Sequence, residues 1–150
     1  MANVELIKKL RAQTGLGMHD IKKALDESND NEANALVLLK EWGLSTVAKK
    51  SDRATSQGLV ESYVHGGRLG AIVEVNCETD FVARNDEFKA FVKDIAMQVA
   101  SMNPQDVEEL LKQDYFRDPS KTIEELLTEV ISKIGENVRI SRFQRFELGV

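Results

Sequence analysis

The residues with the most distinctive chemistry lie between Glu74 and Asn85, in the stretch Glu-Val-Asn-Cys-Glu-Thr-Asp-Phe-Val-Ala-Arg-Asn. A strand pattern ends there in a short polar turn, which is followed by the apolar pair Phe81-Val82. A rigid aromatic side chain at such a turn is a favoured interface anchor, because it buries much area for little lost rotamer entropy. The neighbouring carboxylate of Asp80 would disturb a cation site or phosphate pocket in a partner. Two interpretations stay open: Phe81 protrudes as a wedge, or it tucks under the following helix.

A second candidate surface lies near the N-terminus, where Gly-Leu-Gly-Met interrupts two helical patterns. This turn would expose Leu16 and Met18 between the helices, as in small three-helix binding modules. Methionine is an adaptable contact residue, because its side chain is unbranched and polarizable. The alternative is that both side chains only close a small core.

The sequence contains none of the common catalytic or metal-binding patterns. The chain has no GxGxxG, GxxxxGK[ST], HExxH or GxSxG pattern, and His19 and His65 fall in separate segments. Cys77 is in phase with apolar strand residues, which favours a small core residue. We therefore expect no catalytic residue, no metal site and no cofactor, and we keep an enzyme only as an alternative.

Charge limits the classes of partner. The chain has 20 Lys and Arg residues against 25 Asp and Glu residues, with a net charge of -5 and a pI of about 5.1. This balance argues against nucleic-acid binding through bulk charge. Arg139, Arg142 and Arg145 keep nucleic-acid binding open as an alternative, although a regular strand would turn Arg142 away from the other two.

Targeting signals and cysteine usage indicate a compartment. No apolar run approaches the roughly 20 residues that cross a bilayer. The first residues, Met-Ala-Asn-Val-Glu, lack the basic and apolar regions of a secretory signal. The single cysteine excludes an internal disulfide and fits a reducing environment. We expect a cytoplasmic protein without a membrane partner.

The chain divides into a helical head, a linker and a mixed core. Apolar residues at helical spacing predict three short helices within residues 3–43, the last ended by Gly43. Residues 44–56 are polar and lack either period, which predicts a linker with room for a little helix at its start. We assign residues 1–45 to the head, 46–56 to the linker and 57–150 to the core.

In the core, the apolar period changes from that of a helix to that of a strand. The patterns predict an antiparallel hairpin turned at Gly66-Gly67, a long helix over 86–101 and a small α+β fold. The remaining expectations are a cap at Asn85, a short helix opened by Asn103-Pro104, a loop at 118–120, a helix between Thr122 and Gly135, and a last strand over 138–148. Phe143 is out of phase on that strand, which a bulge near Ser141-Arg142 or a Phe143 on the opposite face would explain.

Three stretches together resemble the elongation factor Ts family. Residues 10–25 match its N-terminal signature (L-R-x-x-T-G-x-G-M-x-D-x-K-K-A-L), and residues 74–84 match its second signature around N-x-x-T-D-F-V-A. The last part, from Ile134-Gly-Glu-Asn-Val-Arg-Ile to Phe146-Glu-Leu-Gly, is similar to the family's C-terminal strand region. The three matches occur in family order and cover nearly the whole chain.

This resemblance implies a ubiquitin-associated-like (UBA-like) three-helix head joined to an α+β core of the dimerisation type. It also implies a guanine-nucleotide exchange factor for elongation factor Tu that involves no covalent chemistry. In the family, the T-D-F-V stretch dislodges the Mg²⁺ that holds GDP, and the N-terminal module grips another face of the partner. The corresponding residues here are Thr79, Asp80, Phe81 and Val82 in the first group, and Leu16, Met18, Lys22 and Lys23 in the second.

One departure from the family is the length of the core. Family members usually carry a longer core, often with a second related half, whereas only residues 103–116 occupy that place here. Short members can restore two lobes by pairing, so the resemblance implies a homodimer, with Phe143 as one place for the contact. A ubiquitin-binding adaptor that uses the head alone is a further alternative, but it leaves the T-D-F-V turn unexplained.

Overall fold

The structure, a computed structural model, describes residues 3–150. Within these residues the helices are α1 Val4–Thr14, α2 Met18–Glu27, α3 Glu32–Lys50, α4 Asp80–Ala83, α5 Asp86–Met102, α6 Val107–Lys112 and α7 Ile123–Ile134. The strands are β1 Gln57–His65, β2 Leu69–Cys77, β3 Asp114–Tyr115, β4 Asp118–Thr122 and β5 Val138–Glu147. None of the helices in residues 3–150 is long and apolar enough to span a membrane.

The head has its own small core, as the helical periods predict. Leu10 of α1 and Ile21 and Leu25 of α2 are fully buried, and Leu39 of α3 completes the cluster. Gly15 ends α1 in a left-handed conformation (φ 68°), which glycine adopts without steric cost. The prediction of three helices in this region is confirmed.

The predicted end of α3 at Gly43 is wrong. The helix continues through Gly43 to Lys50, so only residues 51–56 between α3 and β1 lack helix or strand. Gly43 is buried against α7, where a Cβ would lie 3.2 Å from Ser132 Oγ. The glycine thus permits close packing of two helices instead of ending one. The predicted division at residues 45 and 56 stays a prediction.

The hairpin of the core forms as its sequence predicts. His65 pairs with Leu69, and the turn is closed by the Arg68 N–H, which donates to the His65 carbonyl at 3.0 Å. Gly66 and Gly67 both have positive φ values, 58° and 68°, as a type I′ geometry requires. Arg68 also belongs to the loop, which is therefore one residue longer than predicted.

The main sheet has the strand order β1-β2-β5 and is antiparallel throughout. The predicted bulge is confirmed, because Val75 pairs with Ile140 while Glu74 pairs with Arg142, leaving Ser141 as the extra residue. The bulge shifts the alternation by one residue, so Phe143 packs against the core and is a poor candidate for a dimer contact. Because of the same shift, Arg142 lies on the same face of the sheet as Arg139, contrary to the prediction. Arg145 lies on the opposite face.

Helix α5 covers one face of this sheet. Asn85 caps the helix, as predicted, by accepting hydrogen bonds from the backbone N–H groups of Glu87 and Phe88. Phe88, Ile95 and Val99 are fully buried with strand residues in one core. The predicted α+β architecture is therefore confirmed.

Two local predictions between α5 and α7 are wrong. The short helix α6 begins at Val107 with Asp106 as its cap, whereas Pro104 is buried in the preceding loop. The predicted loop at 118–120 is the start of β4, which pairs with β3. The predictions for α7 are confirmed: Thr122 accepts from the Glu125 N–H at 3.2 Å, and Gly135 ends the helix with a φ of 82°.

Two phenylalanines near α4 and α5 are expected to differ sharply in their effect on stability. Phe88→Ala should lower the free energy of unfolding by about 3–5 kcal/mol, because it leaves a cavity at a fully buried position. Phe81→Ala should change it by less than about 0.5 kcal/mol, because that side chain is 82% exposed. Urea unfolding followed by circular dichroism measures both values. A loss in Phe81→Ala comparable to that in Phe88→Ala would show that Phe81 supports the core.

Candidate partner-binding surface

The stretch predicted as a wedge forms the single-turn helix α4 between β2 and α5. Thr79 caps it, since its Oγ1 accepts a hydrogen bond from the Val82 N–H at 3.3 Å. Ala83 is buried and Val82 is half-buried against the core, so one side of α4 is anchored. The opposite side faces outward.

Phe81 points away from the protein. Its side chain is 82% exposed, compared with 73% for Phe146, and the other Phe, Tyr and Trp side chains of residues 3–150 are buried or half-buried. The interpretation in which Phe81 tucks under the following helix is therefore wrong. An exposed phenylalanine on an anchored turn has the geometry of the wedge, because its base is fixed and its ring is free to be buried by a partner.

Asp80 lies beside Phe81 at the start of α4. Its Oδ2 is 3.1 Å from Nη2 of Arg84, and both side chains are largely exposed. Exposed ion pairs of this kind contribute little to folding stability, because water and salt screen the attraction between the two charges. The Asp80 carboxylate therefore remains available to a positively charged group of a partner.

A carboxylate from a distant part of the sequence contacts the same turn. Glu136 Oε1 accepts from the backbone N–H groups of Glu78 and Thr79 at 3.2 and 3.0 Å. Glu136 Oε2 accepts from the Thr79 hydroxyl at 2.7 Å. Sequence reasoning did not single out Glu136. Its place in the Gly-Glu-Asn turn after α7, within the third family-like stretch, was the available signal.

The residues of the second candidate surface lie in the head. Met18 is 55% exposed at the start of α2, and Lys22 and Lys23 are exposed on the same helix. Lys23 Nζ lies 5.0 Å from the centre of the Trp42 ring and 3.9 Å from Glu27 Oε1. Leu16 is only partly exposed and packs against the head core, which reduces the area that it offers to a partner.

The structure does not merge the two surfaces into one site. The main contacts of α4 are with β1, β2 and α5, whereas those of α2 are with α1 and α3. The head is attached to the core through α3, which packs on α7. Nζ of Lys40 on α3 lies 3.1 Å from Oε2 of Glu125 on α7. A partner that touches both surfaces must therefore span the head and the core.

The side chains considered for catalysis have ordinary surroundings. His65 Nδ1 lies 2.9 Å from the hydroxyl of Tyr63, beside the hairpin turn. Burial, and to a smaller extent the Glu136 carboxylate, raises the pKa of the Cys77 thiol to about 11, and the thiol donates to the Thr79 carbonyl. Among residues 3–150, no three His, Cys, Asp or Glu side chains are grouped to hold a metal ion.

A third exposed surface is the face of the sheet opposite α5. Val60, Val64, Ile72 and Phe146 lie on it with exposures of 66, 67, 44 and 73%. The register places Val64, Gly70 and Phe146 side by side across the three strands. The same face also carries Gln144 and the ion pair between Glu74 and Arg142, so Val64, Ile72 and Phe146 form an apolar patch at the end of the sheet near the hairpin turn.

Comparisons with known proteins agree on one family. A family model described as elongation factor TS matches residues 78–150, which include α4 and Glu136. Elongation factor Ts of Alkaliphilus oremlandii is 44% identical over 189 aligned positions, covering 96% of this chain and 88% of the relative. The corresponding protein of a Thermoanaerobacter species is 43% identical, covering 99% of this chain and 96% of the relative.

These alignments also bear on the predicted shortening of the core. The alignment with the Alkaliphilus protein spans 189 positions, whereas this chain has 150 residues, so the relative carries residues that this chain lacks. The alignment nevertheless covers nearly the whole of this chain, including both the head and the core. This chain belongs to the elongation factor Ts family of translation elongation factors.

Proposed function

We propose that this chain is a guanine-nucleotide exchange factor for elongation factor Tu. It binds the GDP-bound partner, displaces Mg²⁺ and promotes GDP release, so that GTP can bind. Family membership supports this proposal, and the outward Phe81 beside Asp80 is the observation that carries it. The ring supplies apolar area for a pocket in the partner, and the carboxylate supplies charge next to the cation.

Exchange of this kind is a binding process without covalent chemistry. A factor that binds the nucleotide-free partner more tightly than the GDP-bound partner lowers the affinity for GDP by the same coupling free energy. Side chains with shifted pKa values or metal ligands are not needed for this step. The protein is therefore proposed to be a binding protein and not an enzyme, with no cofactor of its own.

The head contributes a second area of contact in this proposal. Met18 offers an exposed apolar side chain, and Lys22 and Lys23 offer positive charge on the same helix. Thr79 and Val82 shape the turn that presents the wedge, while Leu16 supports the head surface. Two separate contacts allow docking energy from the head to offset the distortion that the wedge produces in the partner.

Phe81→Ala should slow GDP release. Loss of the aromatic anchor is expected to cost about 1–3 kcal/mol, or roughly 5- to 150-fold in rate, because a buried ring is removed from the complex. Release of a fluorescent GDP analogue from elongation factor Tu, at catalytic amounts of this protein, measures the effect. Met102→Ala is the control, since Met102 is 47% exposed at the other end of α5. Native rates in Phe81→Ala would contradict the wedge.

Asp80→Ala should act through Mg²⁺. The variant is expected to dock normally and to release GDP more slowly, because the charge that disturbs the cation is gone. When Mg²⁺ is removed by a chelator, the difference between Asp80→Ala and the native protein should shrink. The same assay at several free Mg²⁺ concentrations tests this. A difference independent of Mg²⁺ would assign Asp80 another role.

We also propose that two copies pair through the exposed face of the sheet. The exposed patch of Val64, Ile72 and Phe146 offers apolar area that a second copy would bury, and α5 covers only the other face of the sheet. The Alkaliphilus relative carries residues that this chain lacks, and in this proposal a second copy stands in for them. The face lies away from Phe143, which packs inward.

Ile72→Glu should separate the two copies, because it places a charge beside Val64 and Phe146 in the apolar patch. Analytical ultracentrifugation of the folded variant is expected to give the monomer mass, whereas the native protein gives twice that mass. Val37→Glu is the matched control, since Val37 is 54% exposed on α3 of the head. A native protein that sediments as a monomer would exclude the pairing.

A further inference from the structure

The turn that carries Phe81 is too short to hold its own shape. Helix α4 has only four residues, and an isolated turn of this length is unstable in water, because few hydrogen bonds offset the ordering of the backbone. Its conformation must therefore be fixed by groups outside it. Two side chains outside the turn contact its capping residue Thr79: the Cys77 thiol, which donates to the Thr79 carbonyl, and the Glu136 carboxylate, which contacts the capping hydroxyl itself.

One hydroxyl connects Glu136 to the helix. Thr79 Oγ1 donates its proton to Glu136 Oε2 and accepts the Val82 N–H. The carboxylate fixes the direction of the hydroxyl proton, which leaves a lone pair of the oxygen directed at the backbone of α4. Glu136 also holds the backbone N–H groups of Glu78 and Thr79, so it accepts three hydrogen bonds from two consecutive residues.

A reciprocal contact holds Glu136 in place. Glu78 Oε1 accepts from the Asn137 N–H at 2.8 Å and lies 3.6 Å from Arg53 Nη1. The Asn137 side-chain amide donates to the carbonyls of Ser51 and Arg53, at 3.4 and 2.9 Å. Residues 78–79 and 136–137 thus bind each other's backbone through their side chains. The segment after α3 closes the cluster.

We propose that Glu136 is a positioning residue for the wedge, which fixes the direction of Phe81 and Asp80 through Thr79. This inference rests on the proposed exchange function. Glu136 itself need not touch the partner, since its carboxylate is occupied by groups of this chain. A fixed wedge transmits docking energy to the nucleotide site, whereas a mobile wedge docks without displacing Mg²⁺.

Glu136→Ala should therefore lower the maximal rate of GDP release and leave the half-saturating concentration of this protein near the native value. The expected decrease is about tenfold or more, the scale of one lost hydrogen bond to a charged group. Glu136→Gln should retain most of the rate, because its amide oxygen still accepts from the two backbone N–H groups and its NH₂ group can donate to the Thr79 hydroxyl. This variant also remains informative if Glu136→Ala folds poorly.

Asp94→Ala is the matched control. The Asp94 carboxylate accepts from the Tyr115 hydroxyl and from Arg117 Nε at 3.0 Å, so its removal costs comparable bonds outside the α4 turn. This variant should lose stability without losing maximal rate. A double-mutant cycle with Thr79→Val adds a further test, because the two changes should be non-additive if Glu136 acts through that hydroxyl.

Amide hydrogen exchange of residues 79–84 gives a measurement that does not need the partner. Glu136→Ala should raise exchange in these residues selectively, and Asp94→Ala should not. Native maximal rates or unchanged amide exchange in Glu136→Ala would overturn the positioning role. A native protein that fails to accelerate GDP release would instead overturn the exchange function, while the amide measurement still decides whether Glu136 holds the turn.

Discussion

Burial of α5 against one face of the β1-β2-β5 sheet is the interaction on which the rest of the structure depends. It encloses Phe88, Ile95 and Val99 with the inward residues of the strands, and this forms the larger of the two cores. Because α5 follows β2 after a short connection, α4 has room for only one turn. The packing of the core thus sets both the place and the brevity of the segment that carries Phe81.

The same packing determines which surfaces are left for partners. One face of the sheet is covered by α5, and the other exposes the apolar patch of Val64, Ile72 and Phe146, so the core offers a surface separate from α4. The head offers another, and its helix α3 packs on α7 of the core. In the proposed function, the head docks on the partner, α4 displaces the cation and the exposed sheet face pairs two copies. The carboxylate of Glu136 connects the core to α4.

Much of this architecture could be predicted from local patterns. The hairpin turn at Gly66-Gly67, the caps at Asn85 and Thr122 and the end of α7 at Gly135 depend on residues within one turn of each other. The error at the end of α3 occurred where distant packing decides. Gly43 interrupts a helix in a sequence pattern, but contact with α7 makes a small residue favourable inside α3.

The sequence by itself determined the fold class, the three-helix head, the family-like stretches and the candidate residues of α4. Only the tertiary structure decided that Phe81 points outward, that Phe143 and Phe146 exchange sides at the bulge, and that Glu136 holds Thr79. The physical reason is the range of the interactions. Periodicity and capping act between neighbours in the chain, whereas the pairing of β2 with β5 and the Glu136 contacts join residues more than fifty positions apart.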